Sequence, residues 1–341
     1  MFKRLMAILA SLTFVGISFA TELSGAGATF PYPLYSKMFS EYYKLKKVEV
    51  NYQPIGSGGG VQQLINRTVD FGGTDAPLNE KEEKAAKDEV IHIPTCLGAV
   101  VLTYNLPGNP TIKLTPEIVV DIYLGKITKW NDPRITEVNP DYKFPDLGIV
   151  VVRRSDGSGT TFVFSEYLAS VSEEWKTKVG VGKSLNWPVG IGGKGNPGVA
   201  GYVKQTPGAI GYVEVAYAKQ NKMPYASLKN KSGNFVLPTL ESISKAADVP
   251  IPAHTKVSLV NTDNKDGYPI VAFTWIIAYK EQGYGGRPKD RAKALKDLLY
   301  WMVTEGQKYN EDLDYGKLPE KAQKAAVDLI NSMIYNGKPI Q

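Results

Sequence analysis

The chain of 341 residues contains one cysteine, Cys96, and two histidines, His92 and His254. A single thiol cannot close an intramolecular disulfide, so stability has to come from a packed core. Two histidines make a histidine-assisted serine nucleophile or a His-rich metal cluster hard to assemble, and no acidic cluster has metal-site spacing. After the first twenty residues no stretch approaches the ~18 consecutive apolar residues of a membrane-spanning helix. A fixed-period repeat is missing too. So is a basic stripe interleaved with aromatics, which argues against nucleic acid as a partner. The net charge of +6 falls to +4 once Lys3 and Arg4 are set aside with the leader, and the densest basic cluster is only Lys44, Lys46 and Lys47.

The leader is one of the features present. Met1-Phe2-Lys3-Arg4 precedes an apolar run from Leu5 to Phe19 and the small residue Ala20, the pattern of a secretory signal peptide cleaved near Ala20. No cysteine stands at that point to carry a lipid, so a soluble exported protein beginning near Thr21 is expected. The remaining residues, about 320, suffice for a large core and suggest about two domains.

The most informative stretch is Arg153-Arg154-Ser155-Asp156-Gly157-Ser158-Gly159-Thr160-Thr161. Phe164, Tyr167, Leu168 and Val171 follow at helical spacing, so the glycines and hydroxyls sit where a helix leaves its first N–H groups unpartnered. Those donors and the positive helix end favour an anion. Ser158 and Thr160 add hydroxyls, and Arg154 adds a planar fork suited to phosphate or carboxylate. An ordinary capped helix start beside two surface arginines would have the same local pattern.

Two other places repeat it. Gly25-Ala26-Gly27-Ala28-Thr29-Phe30-Pro31 precedes Leu34, Met38 and Tyr42, and Ile55-Gly56-Ser57-Gly58-Gly59-Gly60 precedes Val61, Leu64 and Ile65. Val48 to Tyr52 alternates as a strand between them. Apolar Gly98 to Tyr104, Ile149 to Val152, Ala209 to Val213 and Val271 to Tyr279 read as further strands. A helix carries Ile118, Val119, Ile122 and Tyr123, Asn196-Pro197 caps a short one, and two amphipathic helices close the chain. The alternation predicts an α/β architecture with its sheets covered on both faces. Pro238 to Asp266 is polar and weakly periodic, and reads as a surface excursion near a domain boundary.

If the three donor-rich helix starts converge, they enclose a small tetrahedral anion. Asp75, just after the pair Gly72-Gly73, then becomes informative, although a turn or N-cap aspartate is the plainer reading. An ionised carboxylate accepts the proton of hydrogen phosphate and repels sulfate, which has none. Asp156, two residues after Arg154, is placed to orient that guanidinium by an ion pair, or simply to make the turn before Gly157. Gly190-Ile191-Gly192-Gly193-Lys194-Gly195, with Glu214 about 20 residues on, has dinucleotide-site spacing. It lacks a clear strand and long helix around it, and Pro197 intrudes. Gly182-Lys183-Ser184 ends like a P-loop, but Thr177 occupies the position of the first glycine.

With these segments together, the chain resembles the periplasmic phosphate-binding proteins of bacterial phosphate-specific ABC transporters. The likeness covers essentially the whole mature chain. It rests on Gly25 to Pro31, Gly56-Ser57, Asp70-Phe71-Gly72 with Asp75-Ala76-Pro77-Leu78, and Arg153 to Thr160. Ile122 to Ile127, Gly192 to Asn196 and Gly208 to Val213 add to it. The resemblance implies a type II periplasmic binding fold: two α/β lobes joined by a hinge, with the ligand cleft between them. One lobe comprises residues 21–101 and 271–341 and the other 102–270.

It also implies phosphate contacts from Thr29, Phe30, Ser57 and Asp75 on one lobe and from Arg154, Ser158, Gly159 and Thr160 on the other. Phe30 would use its backbone N–H, and Asp156 would support Arg154. Gly58 departs from a pattern in which a second serine often follows Ser57. The implied role is phosphate capture in the periplasm and delivery to a membrane ABC permease, by a monomer without metal or cofactor and without catalysis. A secreted phosphatase using Ser57 or Ser158, and a binder of sulfate or another oxyanion, stay open as alternatives, with a purely structural surface role behind them.

Overall fold

The computed structural model describes residues 21–341, so the expected leader lies outside the described residues. Parallel strands alternate with helices, and one sheet runs through the chain. In spatial order its strands are Glu49–Gln53, Glu22–Gly27, Phe71–Thr74, Ile270–Tyr279, Val90–Tyr104, Ala209–Glu214, Val150–Arg154 and Ile191–Gly193. Leu259–Val260 pairs with one end of Ile270–Tyr279.

Val90–Tyr104 is the seam. Its first part, Val90 to Ala99, pairs antiparallel with Tyr279 to Val271, and its last part, Val100 to Tyr104, pairs antiparallel with Glu214 to Ile210. All of it except Val90 is buried, which is why it reads in sequence as an apolar run without alternation. On one side of the seam, Glu22–Gly27 lies parallel to both Glu49–Gln53 and Phe71–Thr74. On the other, Val150–Arg154 lies parallel to Ala209–Glu214 and Ile191–Gly193.

The helices bury the faces their spacing indicates. Tyr32–Lys46 buries Leu34, Tyr35, Met38, Phe39 and Tyr42, and starts at Pro31 and Pro33, where a missing N–H costs no helical bond. Ser57–Ile65 buries Val61 and Leu64, and Gly159–Val171 buries Phe164, Tyr167 and Leu168. Each of these helices begins just past the C-terminal end of a parallel strand, the edge at which open α/β sheets hold ligands.

Two sequence expectations need correction. The pattern Gly190 to Gly195 itself contains the three-residue strand Ile191–Gly193 and opens the helix Gly195–Gln205, with no strand leading into it. Pro197 does not break that helix, because it sits in the first turn, and the N-cap is Lys194 rather than Asn196. The segment Pro238 to Asp266 is more than a surface excursion. It contains the helix Leu240–Ala246, started by a reciprocal cap between Thr239 and Ser242, and buries Ile243 and Thr255 completely. Serine in place of the usual glutamate or glutamine at the third helical position weakens that start signal in the sequence.

At the opposite ends of the strands an ion cluster ties the first half together. Asp70, almost fully buried, accepts from the Ser24 amide at 2.6 Å, from Arg291 Nε and Nη2 at 2.8 Å each, and pairs with Arg287 Nη1 at 2.5 Å. Burial pushes its carboxyl pKa up, but the two guanidiniums and the amide outweigh burial and hold it below the ordinary value. A depressed value contributes stability above the unfolded pKa of about 3.9 that is lost as pH falls through the folded value. Asp70→Asn leaves buried Arg287 without its counter-charge and is expected to cost about 3–5 kcal/mol at neutral pH. Urea unfolding checks this, and parent and variant should converge as the pH drops below about 4.

Candidate functional site

Five strand ends deliver the site. Thr29 and Phe30 follow Glu22–Gly27, Ser57 follows Glu49–Gln53, Asp75 follows Phe71–Thr74, Arg154 ends its own strand, and Asn196 follows Ile191–Gly193. Gly27, at φ +145°, lies so close to the neighbouring strand that a Cβ would stand 2.1 Å from Gly73 O. The chain can then turn Thr29 and Phe30 back across the strand ends. The aromatic ring of Phe30 lies wholly in the core, against Gly98, and its carbonyl accepts from Tyr315 Oη at 2.6 Å, so only its N–H is available to the site.

Residues from the two halves of the sheet meet directly. Gly58 N donates to Gly157 O at 2.9 Å, and Asn196 Nδ2 donates to Thr29 Oγ1 at 2.8 Å and to Thr160 Oγ1 at 3.1 Å. A Cβ on Gly159 would stand 2.4 Å from Ser57 Oγ and 2.5 Å from Asp75 Oδ2, so only glycine permits this approach. Thr29, Phe30, Ser57, Asp75, Arg154, Ser158, Gly159 and Thr160 are therefore gathered in one region, and all are buried.

Their free hydrogen-bonding capacity is nearly all of one kind. Among the described residues the backbone N–H groups of Phe30, Ser57, Gly159 and Thr160 meet no protein acceptor. The first two residues of helix Gly159–Val171 and the first of Ser57–Ile65 account for three of these, as helix geometry requires. Thr160 Oγ1 accepts from Arg154 Nη1 at 3.3 Å and from Asn196, while Thr29 Oγ1 accepts from Asn196 N and Nδ2. Both hydroxyls are thus left to donate their protons. Ser158 is the N-cap: its Oγ accepts from Thr161 N at 2.9 Å, and its own proton is likewise available.

The two acids have opposite environments. Asp156 takes Arg154 Nε at 2.7 Å and Nη2 at 2.5 Å, and accepts from Gly195 N at 3.0 Å. Burial raises its carboxyl, but the Arg154 pair and the amide outweigh that and hold it below the ordinary value. Asp75 has no such pair. Thr274 Oγ1 donates to its Oδ1 at 2.7 Å, and Ser57 Oγ lies 3.4 Å from its Oδ2. Burial pushes its pKa up to about 7, only partly opposed by the Thr274 hydroxyl, the Arg154 charge and the Ser57 hydroxyl. Asp156 is committed to the arginine, and Asp75 remains the carboxylate that can deal with an incoming proton.

Three contributors carry little signal in the sequence. Asn196 reads there as a helix cap, yet it is fully buried and orients two hydroxyls while accepting from Glu214 N at 2.8 Å. Thr274 is the one aliphatic hydroxyl in the apolar strand Ile270–Tyr279, which is the available signal. Tyr212 receives Arg154 N at 3.0 Å and lies 2.6 Å from Thr161 Oγ1, with no sequence cue beyond being a tyrosine in a buried strand. Glu214, the acid of the dinucleotide pattern, instead caps the helix Val215–Gln220 by accepting from Ala216 N at 2.7 Å. His92 Nε2 accepts from Leu78 N at 3.1 Å, and burial lowers its pKa to about 3, so it is not placed as a base for either serine. Among the described residues no group of three His, Cys, Asp or Glu side chains could hold a metal ion.

A model of the PBP superfamily domain matches residues 18–305. The phosphate-binding protein PstS of Pasteurella multocida is 46% identical over 93% of this chain and 92% of its own length. The PstS of Methanocaldococcus jannaschii is 40% identical over 89% of this chain and 84% of its own. Among solved structures, the phosphate-binding protein of Stenotrophomonas maltophilia superposes with a TM-score of 0.67 at 17% identity, covering 91% of this chain and 94% of that one. At that identity the superposition speaks for the fold.

The raised pKa of Asp75 has a measurable consequence. A folded value of about 7, against about 3.9 unfolded, means that the proton on Asp75 stabilises the folded chain fully below about pH 4. This contribution drains away as the pH rises to about 7. Asp75→Asn removes the titration. In ligand-stripped protein the variant should gain stability relative to the parent, on the order of a few kcal/mol, between pH 4 and 7 and no more above that. Urea unfolding at stepped pH values measures it.

Proposed function

The chain belongs to the phosphate-binding proteins of the PBP superfamily, and we propose that it captures inorganic phosphate outside the cytoplasm and delivers it to a membrane ABC permease. The observation that carries this reading is the composition of the site. Four unpartnered amides, the hydroxyls of Thr29, Ser158 and Thr160 and the Arg154 guanidinium surround a single uncommitted carboxylate, Asp75. The donors replace the water shell of a tetrahedral oxyanion with fixed dipoles. Asp75 then admits the anion that brings a proton and rejects the one that does not.

In this reading one proton is shared between Asp75 and phosphate. Sulfate can be accepted only when Asp75 supplies that proton itself, so any sulfate binding should grow as the pH falls below about 7. Ser57 and Ser158 act as ligands, not nucleophiles, and no aryl phosphate is turned over. The site is assembled within one chain and needs no second copy, metal or cofactor. The leader 1–20 directs the chain to the periplasm and is removed near Ala20.

The ligand would lie between two lobes, residues 21–101 with 271–341 and residues 102–270. What supports these boundaries is the strand Val90–Tyr104, which changes pairing partner between Ala99 and Val100. A desolvated phosphate needs partners on all sides, so Thr29, Phe30, Ser57 and Asp75 from one lobe close against Arg154, Ser158, Gly159 and Thr160 from the other. The closed, loaded form is then the one a permease distinguishes.

Calorimetric titration of ligand-stripped protein at pH 8 is expected to give one phosphate per chain and no measurable sulfate binding. Asp75→Asn should relax the exclusion of sulfate by roughly 100-fold or more, the penalty of an unpaired buried charge being about 3–5 kcal/mol. Equal binding of sulfate and phosphate by the unaltered chain would sink the phosphate reading. Small-angle scattering should show compaction on adding phosphate, and an unchanged radius of gyration would remove the hinge from this account.

A further inference from the structure

One partner of Asp75 lies outside the three donor-rich helix starts. We infer that Thr274 is a specificity-determining positioning residue: by donating to Asp75 Oδ1 it keeps the carboxylate ionised and presents Oδ2 to the anion. This rests on the reading of the cleft as a phosphate site and adds to it the device that holds the acceptor in its working form.

The register of the sheet puts Thr274 there. Phe71–Thr74 and Ile270–Tyr279 run antiparallel with Thr74 opposite Trp275, so the next residues in that register are Asp75 and Thr274. Residues directly opposite in an antiparallel pair project to the same face with their Cβ atoms roughly 5 Å apart. Thr274 Oγ1 accordingly reaches Asp75 Oδ1 at 2.7 Å, with both side chains buried. A bare carboxylate has two equivalent oxygens. Here one is occupied, and the other lies beside Ser57 Oγ and against Gly159, within the donor cluster.

Thr274 is itself held from both sides. The pairing of its strand with Val90–Tyr104 shifts register between Thr274 and Trp275, where Thr95 is the extra residue between Pro94 and Cys96. Thr95 Oγ1 donates to Thr274 O at 3.1 Å and lies 2.8 Å from Tyr35 Oη, while Gln307 Nε2 donates to Thr95 O at 2.8 Å. Trp275 Nε1 donates to Thr255 Oγ1 at 3.2 Å. Through this bulge Thr274 is held against Val90–Tyr104, the strand that both halves of the sheet share.

The chemistry follows from which form of Asp75 the hydroxyl favours. A donated hydrogen bond stabilises the carboxylate over the acid, against the burial that pushes the group up. Without it Asp75 takes up a proton more readily, becomes a donor at its own expense, and can then receive an anion that carries no proton.

The groups that face Asp75 from other elements are Arg154, Glu214, Cys96, Tyr35, Tyr52 and Tyr217. Of these only the Cys96 thiol also touches the Thr274 side chain, and it stays protonated because burial raises its pKa.

The test uses ligand-stripped full chain titrated with inorganic phosphate and with sulfate from pH 5 to 9, beginning with the unaltered protein. Thr274→Val keeps the shape and removes the donor. It should lower the preference for phosphate over sulfate about 10- to 100-fold at pH 8, and move the pH at which sulfate binding is half lost upward by about 1–2 units. Thr274→Ser should restore both. Thr274→Ala serves the same purpose as valine if the latter does not fold.

Parental selectivity and pH midpoint in the valine or alanine variant overturn the inference. So does a uniform loss of affinity for both anions with an unmoved midpoint, which is the mark of a merely structural threonine. Failure of the unaltered chain to prefer phosphate would instead refute the functional reading beneath it.

Discussion

A buried guanidinium has to be partnered, and the two-pronged pair between Arg154 and Asp156 is the contact on which the donor cluster depends. By taking Nε and Nη2 it fixes the plane of the arginine and leaves Nη1 directed at Thr160. By accepting from Gly195 N it also ties the end of Val150–Arg154 to the start of the helix Gly195–Gln205, which carries Asn196. Asn196 in turn orients the hydroxyls of Thr29 and Thr160 as donors. One ion pair thus sets the direction of groups on three separate strand ends. It also removes Asp156 from competition with Asp75 as the acceptor in the site.

The second constraint is space. Backbone segments from the two halves of the sheet pass close together at Gly58 and Gly157, and at Gly159, beside Ser57 and Asp75, the approach leaves no room for a side chain. Close approach removes water, and removal of water makes each dipole count for more while making an isolated charge expensive. Asp75 is the charge that bears this cost, and the structure lets it do so through one hydroxyl from the neighbouring strand Ile270–Tyr279 instead of a full counter-ion. An arginine paired to Asp75 would make it a passive structural acid, as Asp70 is between Arg287 and Arg291.

Much of this was legible in the sequence because it is local. Glycine and hydroxyl residues followed by helical periodicity identify a helix N-terminus wherever they occur, and Arg154 with Asp156 two positions on is within reach of an ion pair in any strand-to-turn geometry. The buried strand Val271 to Tyr279 was equally plain from its apolar run. The helix Leu240–Ala246 was not, since its cap uses serine in place of an acid or amide and its periodic stretch spans only seven residues. The helix after Gly193 is masked in the sequence for a different reason. Pro197 reads as a breaker unless the helix start is already known, and in the first turn a proline costs no hydrogen bond.

What the sequence determined by itself was the inventory: an α/β alternation, three donor-rich helix starts, one arginine with its own acid, and one further aspartate after a glycine pair. Those are set by residue type and by spacings of a few positions. Tertiary structure alone decided how the inventory is used. Asn196 meets Thr29 across 167 positions and Thr274 meets Asp75 across 199, through the registers of strands that pair far apart in the chain. The raised pKa of Asp75 and the lowered one of Asp156 come from burial and partners that no local pattern encodes. The same side-chain type becomes an arginine clamp in one place and a proton acceptor in the other because register and desolvation, not sequence neighbours, choose what each carboxylate faces.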